Sequence, residues 1–286
     1  NLWLLFSTIC LKSDILTLRI SKLFSEVDFY QKNETLKLAS LFTVKLLPKD
    51  IQQVALFLDV DGTLYDIENS PSLIKPCFRL QKKLHTIRNR LGGALGLISG
   101  RSLDDLDRIF DNNKIPLAGN HGAQLRDALR TNEYQADTGN IKGIAHKIRE
   151  LLNGQKNIEI ENKGSNLTVH FRNSTIDRKK INKIIMELVK HEPKLTFLQG
   201  KEVLEVKPLS HNKGTAISFF MRTKPFIQRR PIFIGDDVSD EDGFEAVNKK
   251  GGWSVRVGNY KRSKANFFLP NVKSVHGVMK QLLKSR

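Results

Sequence analysis

The sequence predicts an α/β protein, a doubly wound parallel sheet interrupted by an inserted α+β cap. Three observations lead there. Short apolar runs at Val54–Leu58, Leu95–Ser99, Ile115–Ala118 and 231–234 have the length of strands, and strands of this kind are buried on both faces. Helical periodicity separates them, and alternation of strand and helix marks a parallel sheet covered on both sides. Between residues 139 and 206 the rhythm changes to helix–strand–strand–helix–strand–strand, an α+β order. The expected division is therefore an N-terminal extension of unknown role (1–50), a core from 51–138 and 207–286, and a cap from 139–206.

Taken in order, residues 1–50 carry helical spacing at Leu16, Ile20, Leu23 and Val27 and again at Leu38, Phe42 and Leu46, but no motif with chemistry. After the Val54 strand, Leu80, Leu84, Ile87 and Leu91 form one helical face, which Gly92-Gly93 stop. Ser102 reads as the N-cap of a helix that has Asp104 and Asp105 in its first turn, where the dipole favours acids. Its buried face is Leu103, Leu106, Ile109 and Phe110. In the cap, helices are expected at about 141–152 and 176–190, with strands at 158–161, 167–172, 195–198 and 203–206. The core resumes with a helix near 214–221, a strand at 231–234, a helix at 241–249, a strand at 254–257 and a last helix near 272–283.

Composition excludes several classes. At 286 residues, 40% hydrophobic and 27% charged, the chain is globular and not disordered. Cys10 and Cys77 have neither metal nor disulfide spacing, which fits a reduced, cytoplasmic setting. The longest uncharged apolar stretch, Asn1 to Leu11, is too short for a bilayer and lacks the features of a secretory leader, so no membrane association is expected. The net charge of +17 raises nucleic-acid binding. The excess is spread over predicted helices and turns, with small clusters such as Arg178-Lys179-Lys180 and Lys261-Arg262-Ser263-Lys264, and aromatics are not interleaved with it. Solvated faces are the simpler reading, and no nucleic-acid partner is expected.

Chemistry concentrates where the predicted parallel strands end, which is where open α/β sheets bind ligands. Asp59 and Asp61 follow the first strand, two apart, so both carboxylates start toward one side. Like charges held together at a dry strand end are costly unless a cation joins them. Ser99 ends the second strand, Lys213 opens the helix after the insert, and Asp236-Asp237 follow the 231–234 strand, in a run of five acids between Asp236 and Asp242. These groups suit phosphoryl transfer. A carboxylate attacks phosphorus. Mg²⁺, which prefers oxygen ligands, neutralises the phosphate. A lysine and a serine hydroxyl hold its oxygens, and a second carboxyl moves the proton. Walker-type and H-E-x-x-H patterns are absent.

The set Asp59-Val60-Asp61-Gly62-Thr63, Ser99, Lys213 and Gly235-Asp236-Asp237 resembles the haloacid dehalogenase superfamily of phosphatases. The likeness is closer to one of its families, the trehalose-6-phosphate phosphatases. It rests on Leu97-Ile98-Ser99-Gly100-Arg101-Ser102, on Leu117 to Ala123, on Gly235 to Glu241 and on cap segments including Glu161-Asn162-Lys163, His170-Phe171-Arg172 and Glu205-Val206-Lys207-Pro208. The resemblance implies a haloacid dehalogenase-type core and a Mg²⁺-dependent trehalose-phosphate hydrolase. Asp59 would be the nucleophile, Asp61 the general acid/base, and Ser99 and Lys213 the phosphate-holding catalytic groups. Gly62 and Arg101 would join substrate binding, with Glu161, Lys163, Arg172 and Glu205 gripping sugar hydroxyls. Asp59, Asp61 through its backbone carbonyl, and Asp236 would bind Mg²⁺, with Asp237 and Asp240 as weaker candidates. A sugar phosphate is the implied small-molecule partner, and a trehalose-phosphate synthase is a candidate protein partner. The alternatives are a related sugar-phosphate phosphatase, acting on sucrose 6-phosphate or mannosyl-phosphoglycerate, and a non-catalytic polyanion binder on the same fold.

Overall fold

A computed structural model describes residues 51–68, 73–110, 115–127, 133–172, 174–200, 202–259 and 262–284. The helical spacing expected in residues 1–50 lies outside these, as do Lys201 and Lys261.

The first strand, β1 (Val54–Leu58), is buried at every position. It has strands on both sides, pairing in parallel with β2 (Leu95–Ile98) and with β10 (Arg230–Gly235). A strand flanked on both edges and covered on both faces must be apolar throughout, which is why Val-Ala-Leu-Phe-Leu carries no polar side chain. The full sheet has eight strands in the order β12-β11-β10-β1-β2-β3-β4-β5. Here β3 is Leu117–Gly119, β4 Gln124–Arg126, β5 Glu133–Gln135, β11 Trp253–Val257 and β12 Phe267–Leu269. From β12 to β3 neighbouring strands are parallel; β4 and β5 are antiparallel.

The helices follow the apolar periodicity. In α1 (Phe78–Arg90), Leu80, Leu84 and Ile87 are buried. In α2 (Leu103–Phe110), Leu103, Leu106, Ile109 and Phe110 are buried, and Ser102 Oγ accepts the Asp105 N–H at 3.2 Å. The core is completed by α5 (Lys213–Phe220), α6 (Glu241–Lys249) and α7 (Val272–Leu282). One hydrophobic cluster joins these elements apart from β5, running from Ile51 to Leu125 and from Ala216 to Leu282.

A second cluster, Ile141 to Val206, belongs to another sheet. Its strands are β6 (Glu159–Asn162), β7 (Leu167–His170), β8 (Leu195–Gln199) and β9 (Val203–Pro208), in the antiparallel order β6-β7-β9-β8. Alternation along β7 and β9 sends Leu167, Val169, Leu204 and Val206 into this cluster with α3 (Ile141–Leu151) and α4 (Arg178–Lys190). Thr168 and Glu205 therefore point to the opposite face.

Three strands were not expected. β4, β5 and β12 are three residues each, and β5 is exposed throughout. Three residues are too few for a periodicity to show in sequence. The third strand starts at Leu117 and not Ile115. No described helix is long and apolar enough to cross a membrane.

Candidate active site

Parallel strands bring their carboxyl ends to one edge, and the predicted groups meet there. Asp59 follows β1 and is buried. Lys213, 154 residues further on, donates from Nζ to Asp59 Oδ1 at 2.7 Å and to Asp240 Oδ1 at 2.7 Å. Local sequence explains how the lysine arrives. Asn212 and Thr215 form a reciprocal capping box, with the Thr215 N–H donating to Asn212 Oδ1 at 2.8 Å and the Asn212 N–H donating to Thr215 Oγ1 at 3.0 Å. That starts α5 at Lys213. Gly214 lets α5 lie close to α6, since a Cβ there would stand 2.4 Å from the Asp242 carbonyl oxygen.

Asp236, Asp240 and Asp59 offer carboxylate oxygens within 4.8 Å of one another. Asp240 is already engaged. Its Oδ1 takes Lys213, and its Oδ2 accepts the N–H groups of Asp236 and Asp237 at 2.9 and 2.8 Å. Asp236 Oδ1 is buried and has no hydrogen-bond partner. Burial and the nearby Asp240 push the Asp236 carboxyl up to about 6. Burial likewise holds Asp59 well above the usual carboxylate range, with Lys213 opposing and Asp240 and Asp236 adding to the rise. Burial would lower the Lys213 ammonium, but Asp240 and Asp59 outweigh it and keep the amine protonated. Gly62 closes the other side. Its φ of +77° favours glycine, and a Cβ would fall 2.1 Å from Asp236 Oδ2.

A buried carboxylate oxygen without a donor, a glycine cradle against it and an all-oxygen donor set fit a hard divalent cation. Asp59 and Asp236 are the carboxylates the geometry leaves most open to such an ion. Asp240, expected as a weaker ligand, lies in the same acidic cluster and also holds the loop and Lys213. Asp237, also a weaker candidate, is exposed and contributes its backbone N–H to Asp240, outside the acidic cluster. The Asp61 side chain is outside it too. Arg101 grips both its oxygens, Nε to Oδ2 at 2.7 Å and Nη2 to Oδ1 at 2.6 Å. Ser99 is buried beside them, its Oγ accepting the Arg101 N–H at 3.1 Å.

Above this edge lies the face of the second sheet that carries Glu161, Lys163 and Glu205. Glu161 is joined to His170 at 3.2 Å and to Lys163 at 3.7 Å. Glu205 bridges the two sheets, meeting His121 Nε2 at 2.9 Å through Oε2 and Asn166 Nδ2 at 2.7 Å through Oε1. Burial alone would raise Glu205, but His121, Lys163 and Asn166 hold it down to about 2. Asn120 reinforces the seam by donating to the Lys163 carbonyl at 3.1 Å and Ser165 Oγ at 2.7 Å. Arg172 stands apart from this group, exposed and paired with Glu202 at 2.8 Å. Asn120, His121 and Asn166 were not among the expected site residues. The Gly119-Asn120-His121-Gly122 turn at a strand end was the available signal, and residues 120–122 form a short 3-10 turn with His121 at φ +55°.

A doubly wound sheet with paired aspartates after its first strand, a lysine–aspartate pair opposite and a capping sheet over both defines a hydrolase of the haloacid dehalogenase type. Comparison with known sequences narrows this. The sequence model described as trehalose-phosphatase matches residues 57–273, and the chain belongs to that family of phosphoric monoester hydrolases. It is 35% identical over 239 residues to a probable trehalose-phosphate phosphatase of Sinorhizobium fredii, covering 82% of this chain and 90% of that protein. It is 34% identical over 212 residues to the trehalose-6-phosphate phosphatase of Escherichia coli, covering 74% and 80%. Among solved structures, an Aspergillus fumigatus trehalose-6-phosphate phosphatase aligns with a TM-score of 0.59 at 28% identity, over 83% of this chain and 97% of that one. The C-terminal domain of the C. albicans trehalose-6-phosphate phosphatase reaches 0.73 at 22% identity, over 87% and 96%, a likeness of fold.

Proposed function

We propose that the chain hydrolyses trehalose 6-phosphate to trehalose and phosphate, through an aspartyl-phosphate and with Mg²⁺ bound. The observation that carries the mechanism is the Lys213 ammonium seated between Asp59 and Asp240, with the unpartnered Asp236 oxygen in the same acidic cluster. Asp59 and Asp236 would hold the ion, with the Asp61 carbonyl as the further oxygen the family resemblance implies. When bound, Mg²⁺ supplies positive charge that offsets the phosphate dianion and the carboxylate approaching it.

Asp59 attacks phosphorus, and the bond to the sugar oxygen breaks. Asp61 gives that oxygen its proton. Asp61 then takes a proton from water, the water attacks phosphorus, phosphate leaves and Asp59 is regenerated. Lys213 and the Ser99 hydroxyl would donate to phosphoryl oxygens as charge develops on them. Arg101 holds both oxygens of Asp61 and would orient its carboxyl for the proton transfer. Glu161, Lys163 and Glu205 would hold sugar hydroxyls, and the seam to the core would keep water out. A cytoplasmic setting and a synthase partner belong to this proposal.

Phosphate release from trehalose 6-phosphate, with sucrose 6-phosphate and mannosyl-phosphoglycerate beside it, tests the reading. Trehalose 6-phosphate should be the best substrate, and EDTA or Asp59→Asn should abolish turnover. Activity surviving either treatment, or a preference for another sugar, would refute it.

A further inference from the structure

The polar seam between the two sheets leaves several buried atoms unsatisfied. Thr168 Oγ1, Asn166 Oδ1, Asn120 Oδ1 and His121 Nδ1 are buried and have no hydrogen-bond partner. They belong to one cluster around Glu205, which bonds Asn166 through one oxygen and His121 through the other, while Asn166 also donates to the Asn120 carbonyl at 3.3 Å. Thr168 sits in the middle row of the cap sheet, directly opposite Glu161 on β6 and Glu205 on β9. Residues so paired across antiparallel strands hold their side chains side by side.

Thr168 is 3% exposed. Its neighbours Leu167 and Val169 pack into the helix-covered cluster, so its hydroxyl lies on the face that meets the core. A serviceable cap would need only an apolar or small residue here. A buried hydroxyl without a partner costs stability, and native proteins seldom keep one unless something else satisfies it. The other orphans in the cluster are two amide carbonyl oxygens and an imidazole nitrogen. With the threonine hydroxyl they form a set that can both accept from and donate to ligand hydroxyls. Charged partners are not what such a set selects. A polyhydroxylated neutral group is.

From this we infer that Thr168 is a specificity-determining residue, contacting a hydroxyl of the sugar between Glu161 and Glu205. The inference rests on the proposed function and adds a sugar contact that the charged residues do not account for. It also separates sugar recognition from phosphate chemistry, since Thr168 belongs to the second sheet while Asp59 and Lys213 belong to the core edge.

Thr168→Val removes the hydroxyl at nearly constant shape, and Thr168→Ser keeps it. Turnover of trehalose 6-phosphate and of p-nitrophenyl phosphate would be measured with Mg²⁺, together with the melting temperature with and without trehalose. For Thr168→Val, KM for trehalose 6-phosphate should rise about three- to tenfold, the loss expected for one neutral hydrogen bond. Its p-nitrophenyl phosphate turnover should stay at the wild-type level. Its melting temperature without sugar should equal or exceed wild type, and the upward shift caused by trehalose should shrink. Thr168→Ser should restore the KM. A folded Thr168→Val enzyme with wild-type KM and an unchanged trehalose shift would overturn the inference and leave the function standing. Equal loss on both phosphate esters would overturn it too, by making the residue structural. Absence of trehalose 6-phosphate hydrolysis by the wild type would bring down the functional reading and this inference with it.

Discussion

Lys213→Met is the perturbation with the clearest arithmetic. The substitution keeps the aliphatic stem inside the site and deletes the ammonium. Asp59 and Asp240 are both buried, and each loses a 2.7 Å ion pair. Removing one partner of a buried pair costs about 3–5 kcal/mol, because the remaining charge stays desolvated. A total stability of about 5–15 kcal/mol leaves little margin for that loss. At roughly 2–4 °C per kcal/mol for a chain somewhat smaller than this one, the melting temperature should fall by about 6–20 °C at pH 7.

The loss should depend on pH with a definite sign. The Asp59 carboxyl is held well above its ordinary value even with the lysine present, chiefly by burial. A raised acid contributes stability below its unfolded-state value and loses it as pH rises through its folded value. Without Lys213 that rise is larger. The deficit of the variant should therefore be greatest near pH 7 and narrow toward pH 4, where the carboxyls accept protons. Added Mg²⁺ should recover part of the deficit at pH 7, as for any ligand that binds only the folded state. Thermal unfolding of wild type and variant at pH 4, 5.5 and 7, with EDTA and with Mg²⁺, reads all of this. A variant as stable as wild type at pH 7, or a deficit that does not change with pH, would refute the reasoning.

Two further outcomes follow from the same cluster. Gly62→Ala should abolish phosphatase activity and weaken Mg²⁺ binding, since its Cβ would fall 2.1 Å from Asp236 Oδ2 and its φ is +77°; turnover and calorimetric Mg²⁺ titration check both. The Asp236 carboxyl sits at about 6 without metal, first through burial and then through Asp240, so Mg²⁺ must displace its proton below that pH. Apparent Mg²⁺ affinity should fall steadily from pH 6 to pH 5, and titrations that show no such fall would contradict a ligand role for Asp236.

Much of this protein was legible before any coordinates. An uncharged pentad such as Val54–Leu58 has few places to go except the middle of a sheet, and its neighbours on either side carried the same mark. Amphipathic spacing located the helices to within a few residues, as for Glu241–Lys249. The order of strand-end aspartates, serine and lysine then announced phosphoryl chemistry, because few arrangements need those groups at those places. The short strands β4, β5 and β12 escaped notice because segments of three residues acquire strand geometry only from the neighbour they pair with.

What tertiary structure alone decided is how the acids divide their labour. Asp236, Asp237 and Asp240 are equivalent as letters. Only the turn after β10 leaves one with a bare oxygen, turns one to solvent and spends the third on Lys213 and two amides. The same holds for Asn120, His121, Asn166 and Thr168. They lie far from the catalytic residues in sequence and gain meaning only where the two sheets meet. Hydrogen-bond satisfaction is a property of a closed surface, and a linear chain has none until its parts are in contact.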